Sequence, residues 1–292
     1  MPLTALLAVL LAATTHATWN LYAKRAAASR HFVWLYSVGA LGILTPIAVG
    51  IVLTGGMPSM TPLHGLALVL TAVLHLGYSL TLQAAYRVAD LSLVYPVARG
   101  SGPLFAFFAA VLLLGETLTV TSLLGVVAVV AGILLVAGIQ WRGASTTSTP
   151  RRGALWGLGI GLFIASYTVT DGWAVKVLLL SPVIVDYAGT VLRVVALTPR
   201  ALADRAGVAR EVRAYWRPAL VVSVLGPLGY ILVLYAMRVA PVSHVAPARE
   251  LATLIAAYYG ARLLGEKAGP RRLLGALCIV AGVVALALAP TG

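Results

Sequence analysis

Negative charge is scarce in this sequence: eight acidic residues stand against 21 lysines and arginines, and only 10% of the chain is charged. Cysteine is scarcer still. The single Cys278 allows no intramolecular disulfide and no thiolate metal site. His16, His31, His64, His75 and His244 fall at no metal-ligand spacing, so no metal is expected. The absence of a glycine-rich phosphate loop excludes direct drive by ATP. No paired nucleophile and base stands at membrane depth, so the chain does not read as an enzyme, and it calls for no cofactor. Asparagine occurs once, at Asn20. No basic segment precedes the apolar run that begins at Leu3, so that run is expected to stay in the mature protein rather than leave as a signal peptide.

Apolar sequence fills the rest. Hydrophobic residues make up 61% of the chain and the mean hydropathy is +0.98, outside the soluble globular range. The apolar runs are long enough to cross a bilayer as helices, which need roughly 20 residues each. Ten spans are expected, at about 3–22, 32–53, 64–87, 91–114, 119–139, 153–174, 183–199, 218–237, 242–264 and 271–289. The seventh is the weakest, interrupted by Asp186 and Arg193. The fold class is therefore all-α and integral to a membrane, with short connections and no soluble domain.

The net charge of +13 is topological in this setting. Lys24, Arg25 and Arg30, then Arg142, Arg151 and Arg152, then the run from Arg200 to Arg217, then Lys267, Arg271 and Arg272 all fall on one side of ten spans. Loops 54–63 and 115–118 carry no Lys or Arg. The positive-inside rule makes the basic side cytoplasmic and puts both termini outside. Nucleic acid is not an expected partner; membrane lipid is.

The second half of the chain repeats the first at a distance of about 150 residues. Arg87-Val88-Ala89, Ser92, Val94 and Pro96 recur as Arg238-Val239-Ala240, Ser243, Val245 and Pro247. After a one-residue slip, Ala98-Arg99 recurs as Ala248-Arg249, and Leu113-Leu114-Gly115-Glu116 as Leu263-Leu264-Gly265-Glu266. Gly125 and Gly132 match Gly275 and Gly282, and Lys24 matches Lys176. A Ser/Thr-rich stretch from Gly143 to Pro150 marks the boundary, giving repeats over 1–142 and 153–292 with a linker over 143–152. Five spans per half insert the halves in opposite orientations, so the repeat is inverted, with its site between the halves. The glycine-paced fifth and tenth spans are expected to be packing helices. They also offer a face for a homodimer, so the assembly reads as monomer or homodimer.

These residues carry a resemblance. The five-plus-five pattern, the Leu-Gly-Glu turns followed by paired glycines, and Trp19-Asn20 with Lys24 resemble the EamA-type members of the drug/metabolite transporter superfamily over nearly the whole chain. The resemblance implies a secondary transporter of small metabolites, often an exporter, working by alternating access from a central cavity in a bacterial cytoplasmic membrane. For many bacterial members it also implies cytoplasmic termini. The charge pattern here gives the reverse and is taken as the guide.

Polar groups at bilayer depth are costly and mark sites. Arg99 and Arg249 occupy equivalent places, each just past a proline, Pro96 or Pro247, that removes a helix hydrogen bond and is expected to kink its span. A guanidinium donates two parallel hydrogen bonds, which suits a carboxylate or phosphate and points to an anionic or zwitterionic substrate. Asp171 and Glu250 are the expected proton-coupling carboxylates. The alternative is static ion pairs, Glu250 with Arg193 or Asp171 with Arg99. Asp186 reads as interfacial and Arg193 as structural. His16, Trp19 and Asn20 on the first helix, with Tyr78, Gln83, Tyr95, Tyr167, Tyr230 and Tyr235, complete the candidate lining. Gly115-Glu116 reads as a carboxylate at the N-terminus of the helix that follows it. The expectation is a proton-coupled exporter of a small polar metabolite, such as an amino acid or a related anionic or zwitterionic compound. The alternative is a lipid or amphiphile flippase, or a multidrug efflux protein of the same fold.

Overall fold

The structure is a computed structural model that describes residues 1–292 apart from 27–28, 56–58, 89–90, 138–149, 264–269 and 291–292. Among the described residues the chain is helical throughout: α1 (Leu3–Arg25), α2 (Phe32–Leu53), α3 (Pro62–Val88), α4 (Leu91–Leu114), α5 (Val120–Ala137), α6 (Pro150–Lys176), α7 (Pro182–Ala203), α8 (Arg205–Val239), α9 (Val242–Ala248), α10 (Leu251–Leu263) and α11 (Pro270–Leu288). Eight of these are long and apolar enough to span a membrane. With α9 and α10 counted as one interrupted span, the ten expected crossings are present.

Three boundaries differ from the sequence reading. The expected span 242–264 breaks in two: the helix that starts at Val242 ends at Ala248, and Arg249-Glu250 form a turn before α10. Pro247 has no N–H for the Ser243 carbonyl four residues back, and beyond it the chain tightens, with the Glu250 amide bonded to the Pro247 carbonyl at 3.0 Å. Its repeat partner Pro96 lies inside an uninterrupted α4, as does Pro103. The second difference is α8, which begins at Arg205, so the basic run expected to be a loop is helix. Asp204 caps it, accepting the Gly207 amide at 2.9 Å. Its 35 residues reach about 50 Å, well beyond a hydrocarbon core of about 30 Å. The α1–α2 connection docks on this extension: Glu211 accepts the amides of Arg30 at 3.0 Å and His31 at 2.8 Å, and the Ser29 hydroxyl. Pro150–Arg152, read as the end of the linker, already belong to α6, while most of that linker lies outside the described residues.

The two halves interleave. α4 packs along α6, α1 along α8, α3 along α6, and α2 against both α7 and α8. The glycine faces of α5 and α11 meet each other within the chain: a Cβ on Gly132 would lie 2.6 Å from the Gly275 carbonyl oxygen, and one on Gly125 would lie 3.0 Å from that of Gly282. The small-residue face offered for a homodimer is therefore covered by the chain itself. Because backbone opposes backbone, no side chain can yield. Gly132→Val is expected to lower stability by about 1–3 kcal/mol, read as a fall in melting temperature of the detergent-solubilised protein, while Gly50→Val, with open space around it, leaves it unchanged.

The N-terminus and the end of α11 lie together, where the Met1 ammonium donates to the Ala287 carbonyl at 2.7 Å. The largest apolar core sits at that end. It is built from the terminal-end halves of the helices, among them Ala5, Val9, Ala110, Leu234, Val245 and Leu286. The opposite, basic end has a smaller cluster that holds Phe32 and Val222 together.

Candidate functional site

At the centre, α6 presents Asp171, whose side chain is fully buried. It accepts hydrogen bonds from the Thr71 and Tyr230 hydroxyls and lies 3.0 Å from His75 Nε2. Thr71 and His75 are four residues apart, so one face of α3 carries both. His75 stacks on Tyr167 at 4.1 Å and meets Tyr230 edge-on at 5.3 Å. Its Nε2 is also 3.0 Å from the Tyr230 hydroxyl. Asp171 thus pairs with His75, not with Arg99 as one reading of the sequence had it.

Arg99 pairs with Glu250 instead, at 3.0 Å, and both are almost fully enclosed. That contact joins α4 of the first half to the α9–α10 break of the second. The alternative pairing of Glu250 with Arg193 does not form. Arg249 and Glu250 both lie in the turn between α9 and α10, and there Glu250 meets Arg99. Among the described residues no salt bridge reaches Arg249.

A cavity of two lobes surrounds these groups. The larger, about 400 Å³, is lined by His16, Trp19, Asn20, Tyr78, Tyr95, Arg99, Tyr167, Tyr230 and Arg249 among others. The smaller, about 200 Å³, reaches toward α7, where Asp186, Thr190 and Arg193 line it. Trp19, Tyr36, His75, Tyr78 and Tyr230 belong to both. On α1 to α4 the lining of the larger lobe comes from the halves nearest the basic end, so the cavity lies on the basic side of the apolar core.

Most residues singled out in the sequence converge here. His16 meets Trp19 edge-on at 5.0 Å. Asn20 spends its amide on the His16 carbonyl of its own helix at 2.9 Å. Tyr95 holds its ring 5.9 Å beneath the Arg99 guanidinium. Gln83 belongs to α3, and its side chain lies outside the described residues. Tyr235 does not reach the cavity; it is 58% exposed on the flank of α8. Asp186 is not interfacial: it lines the smaller lobe and its Oδ2 is buried. The sequence by itself assigns no role to Thr71 or Tyr36 and offers His75 only as a candidate that no spacing singles out. The i, i+4 pair Thr71 and His75 was the one available signal.

The turn glutamate also acts differently from expectation. Glu116 does not cap α5. It crosses to the other half, accepting the amides of Val242 at 2.7 Å and Ser243 at 2.8 Å at the start of α9. Lys176, at the end of α6, donates to it at 3.1 Å. Burial alone would raise this carboxyl. The hydrogen bonds from Ser243 and Val242, with the Lys176 ammonium, outweigh that and hold it below the usual carboxylate value. A lowered value means the tie is at full strength above the ordinary carboxylate pKa of about 4.3 and is lost as pH falls through the depressed one. The tie closes the terminal end over the apolar core. Glu116→Gln is expected to open that end roughly tenfold more often, the value of one hydrogen bond to a charged group. The readout is maleimide labelling of Ser243→Cys, buried here, in a chain with Cys278→Ser; unchanged labelling would show that the tie does not hold the end shut.

Three comparisons with known proteins bear on this geometry. The sequence pattern of the EamA-like transporter family matches residues 3–138 and again 151–288. No curated protein matches the chain. A solved structure titled only "Crystal structure of protein" superposes with a TM-score of 0.73 at 16% identity, over 98% of this chain and 96% of that one, a likeness of fold alone.

Proposed function

The chain belongs to the EamA-like transporter family, and from that premise we propose that it is a secondary-active transporter of a small anionic or zwitterionic metabolite, coupled to protons and acting in efflux. The observation that carries this reading is an arginine at the cavity wall that no carboxylate among the described residues meets in a salt bridge. Arg99 is committed to Glu250, whereas Arg249 lines the larger lobe free of any salt bridge among the described residues. A guanidinium at membrane depth without a counter-ion is costly, and a bound carboxylate offsets that cost with two parallel hydrogen bonds. Tyr78, Tyr95, Tyr167 and Tyr230 supply an amphipathic wall beside it.

The coupling proton belongs to Asp171 together with His75. Asp171 has no access to solvent of its own, so a proton reaching it from the cavity is relayed by a group that touches both, and His75, which lines both lobes beside Tyr230, is the one that can carry the charge. Glu250, held by Arg99, is a structural counter-ion rather than a proton carrier. With the basic side cytoplasmic, a cavity on that side and a tied terminal end correspond to the inward-facing state of an alternating-access cycle. Efflux then requires release of the Glu116 tie while a tie forms at the other end.

Proteoliposome flux tests the reading. The purified chain is expected to exchange small carboxylates across the vesicle wall, and a pH gradient is expected to drive their accumulation. Lipid scrambling without soluble-solute flux would favour the flippase alternative instead.

A further inference from the structure

The smaller lobe contains a carboxylate that the reading above does not use. Asp186 stands one turn into α7 and lines this lobe, yet its Oδ2 is closed off from solvent with no hydrogen-bond partner. A carboxylate in such a place is stable as an anion only against a donor or a cation. Among the described residues no hydrogen-bond donor meets its Oδ2 and no salt bridge reaches it. Arg193 is a heptad further along the same helix, about 10 Å along its axis, and no salt bridge joins the two. His75 is engaged with Asp171 and Tyr230. Asp171 is itself filled by three donors, and Glu250 by Arg99. Among the described carboxylates around the cavity, Asp186 is the one with an empty acceptor.

The waist between the lobes suits a cation as well. Trp19, Tyr36 and Tyr78 line both lobes, and an ammonium is attracted to aromatic faces within about 6 Å.

We propose that Asp186 is the ammonium subsite of the transported solute, which therefore carries an amine at one end and a carboxylate at the other. This rests on the assignment of Arg249 to the carboxylate. Asp186 lines the smaller lobe and not the larger; Arg249 lines the larger and not the smaller. A molecule that meets both has to pass the aromatic waist, so its two charges sit at the ends of a linear skeleton rather than on one carbon. The substrate class is an ω-amino carboxylate.

The test is a thermal-shift and counterflow series on the full purified chain. The probes are glycine, γ-aminobutyrate, δ-aminovalerate and ε-aminocaproate, with norvaline as the α-amino isomer and valerate and caproate as plain acids. The wild-type chain is expected to prefer an ω-amino acid over the plain acid of equal length by roughly tenfold in apparent affinity, the value of one charge-assisted hydrogen bond. It is also expected to prefer δ-aminovalerate over norvaline. Asp186→Asn is expected to erase the gain from the amine, so that an ω-amino acid and the plain acid of equal length bind alike. Equal affinity for ω-amino acids and plain acids, a preference for norvaline, or a gain that survives in Asp186→Asn overturns the inference and leaves the Arg249 assignment standing. Failure of every carboxylate to bind overturns both. The wild-type series decides the matter even where the variant does not accumulate.

Discussion

Arg249→Ala is expected to cut carboxylate flux at least thirtyfold while leaving the melting temperature of the empty protein within a few degrees of wild type. The contrast with Arg99 explains why the two effects separate. Removing Arg99 would strand Glu250, 3% exposed, without its 3.0 Å partner, and breaking such a buried pair costs about 3–5 kcal/mol. Arg99→Ala is therefore a folding variant. Arg249 leaves no carboxylate stranded, since no salt bridge depends on it among the described residues. Its loss removes only what it would give a bound anion, about 2–5 kcal/mol for truncating one side of a desolvated charge pair. At 1.4 kcal/mol per tenfold, the lower figure already exceeds a factor of ten and the middle of the range exceeds a hundred. Arg249→Lys keeps the charge and loses the fork, so it should fall between the two. Flux in proteoliposomes from Arg249→Ala equal to wild type would remove the anion subsite from this place.

The second large effect concerns coupling. Asp171→Asn preserves the shape of the side chain and cannot hold a proton-dependent charge. We expect solute exchange to continue and the accumulation driven by a pH gradient to disappear. An amide in place of the carboxylate also turns one acceptor into a donor facing the Thr71, Tyr230 and His75 donors. One mismatched bond there is worth about 1–3 kcal/mol, so a lowered melting temperature should accompany the uncoupling. A lower melting temperature with gradient-driven accumulation intact would make Asp171 a structural anchor of α3, α6 and α8 and no more. Glu250→Gln supplies the comparison: it weakens the Arg99 pair and should lower stability without abolishing the response to the gradient.

The helices and their number were legible because lipid permits few alternatives: every backbone group has to be satisfied inside the span, so a long apolar run is a helix. The inverted repeat was legible because identities such as Ala98-Arg99 with Ala248-Arg249 survive in order. The candidate lining was also legible in good part, since charges and amides are expensive at that depth and stand out. His16, Asn20, Arg99, Asp171 and Arg249 are visible on those grounds, with Trp19 as an aromatic neighbour, while no spacing singles out His75 until α6 and α8 are set against it.

Which charge meets which was decided by the tertiary structure alone. Glu116 and the start of α9 are separated by over a hundred residues, and only the interleaving of the halves brings the carboxylate to the amides of Val242 and Ser243. The same packing gave Glu250 to Arg99, gave Asp171 to His75, and left Arg249 and Asp186 without ion-pair partners among the described residues. The sequence by itself determined that this protein crosses a membrane on ten paths related by an inverted repeat, because hydropathy and periodicity are local properties. The assignment of its few charges to scaffold or to site depends on distances between helices, and a linear pattern does not carry those.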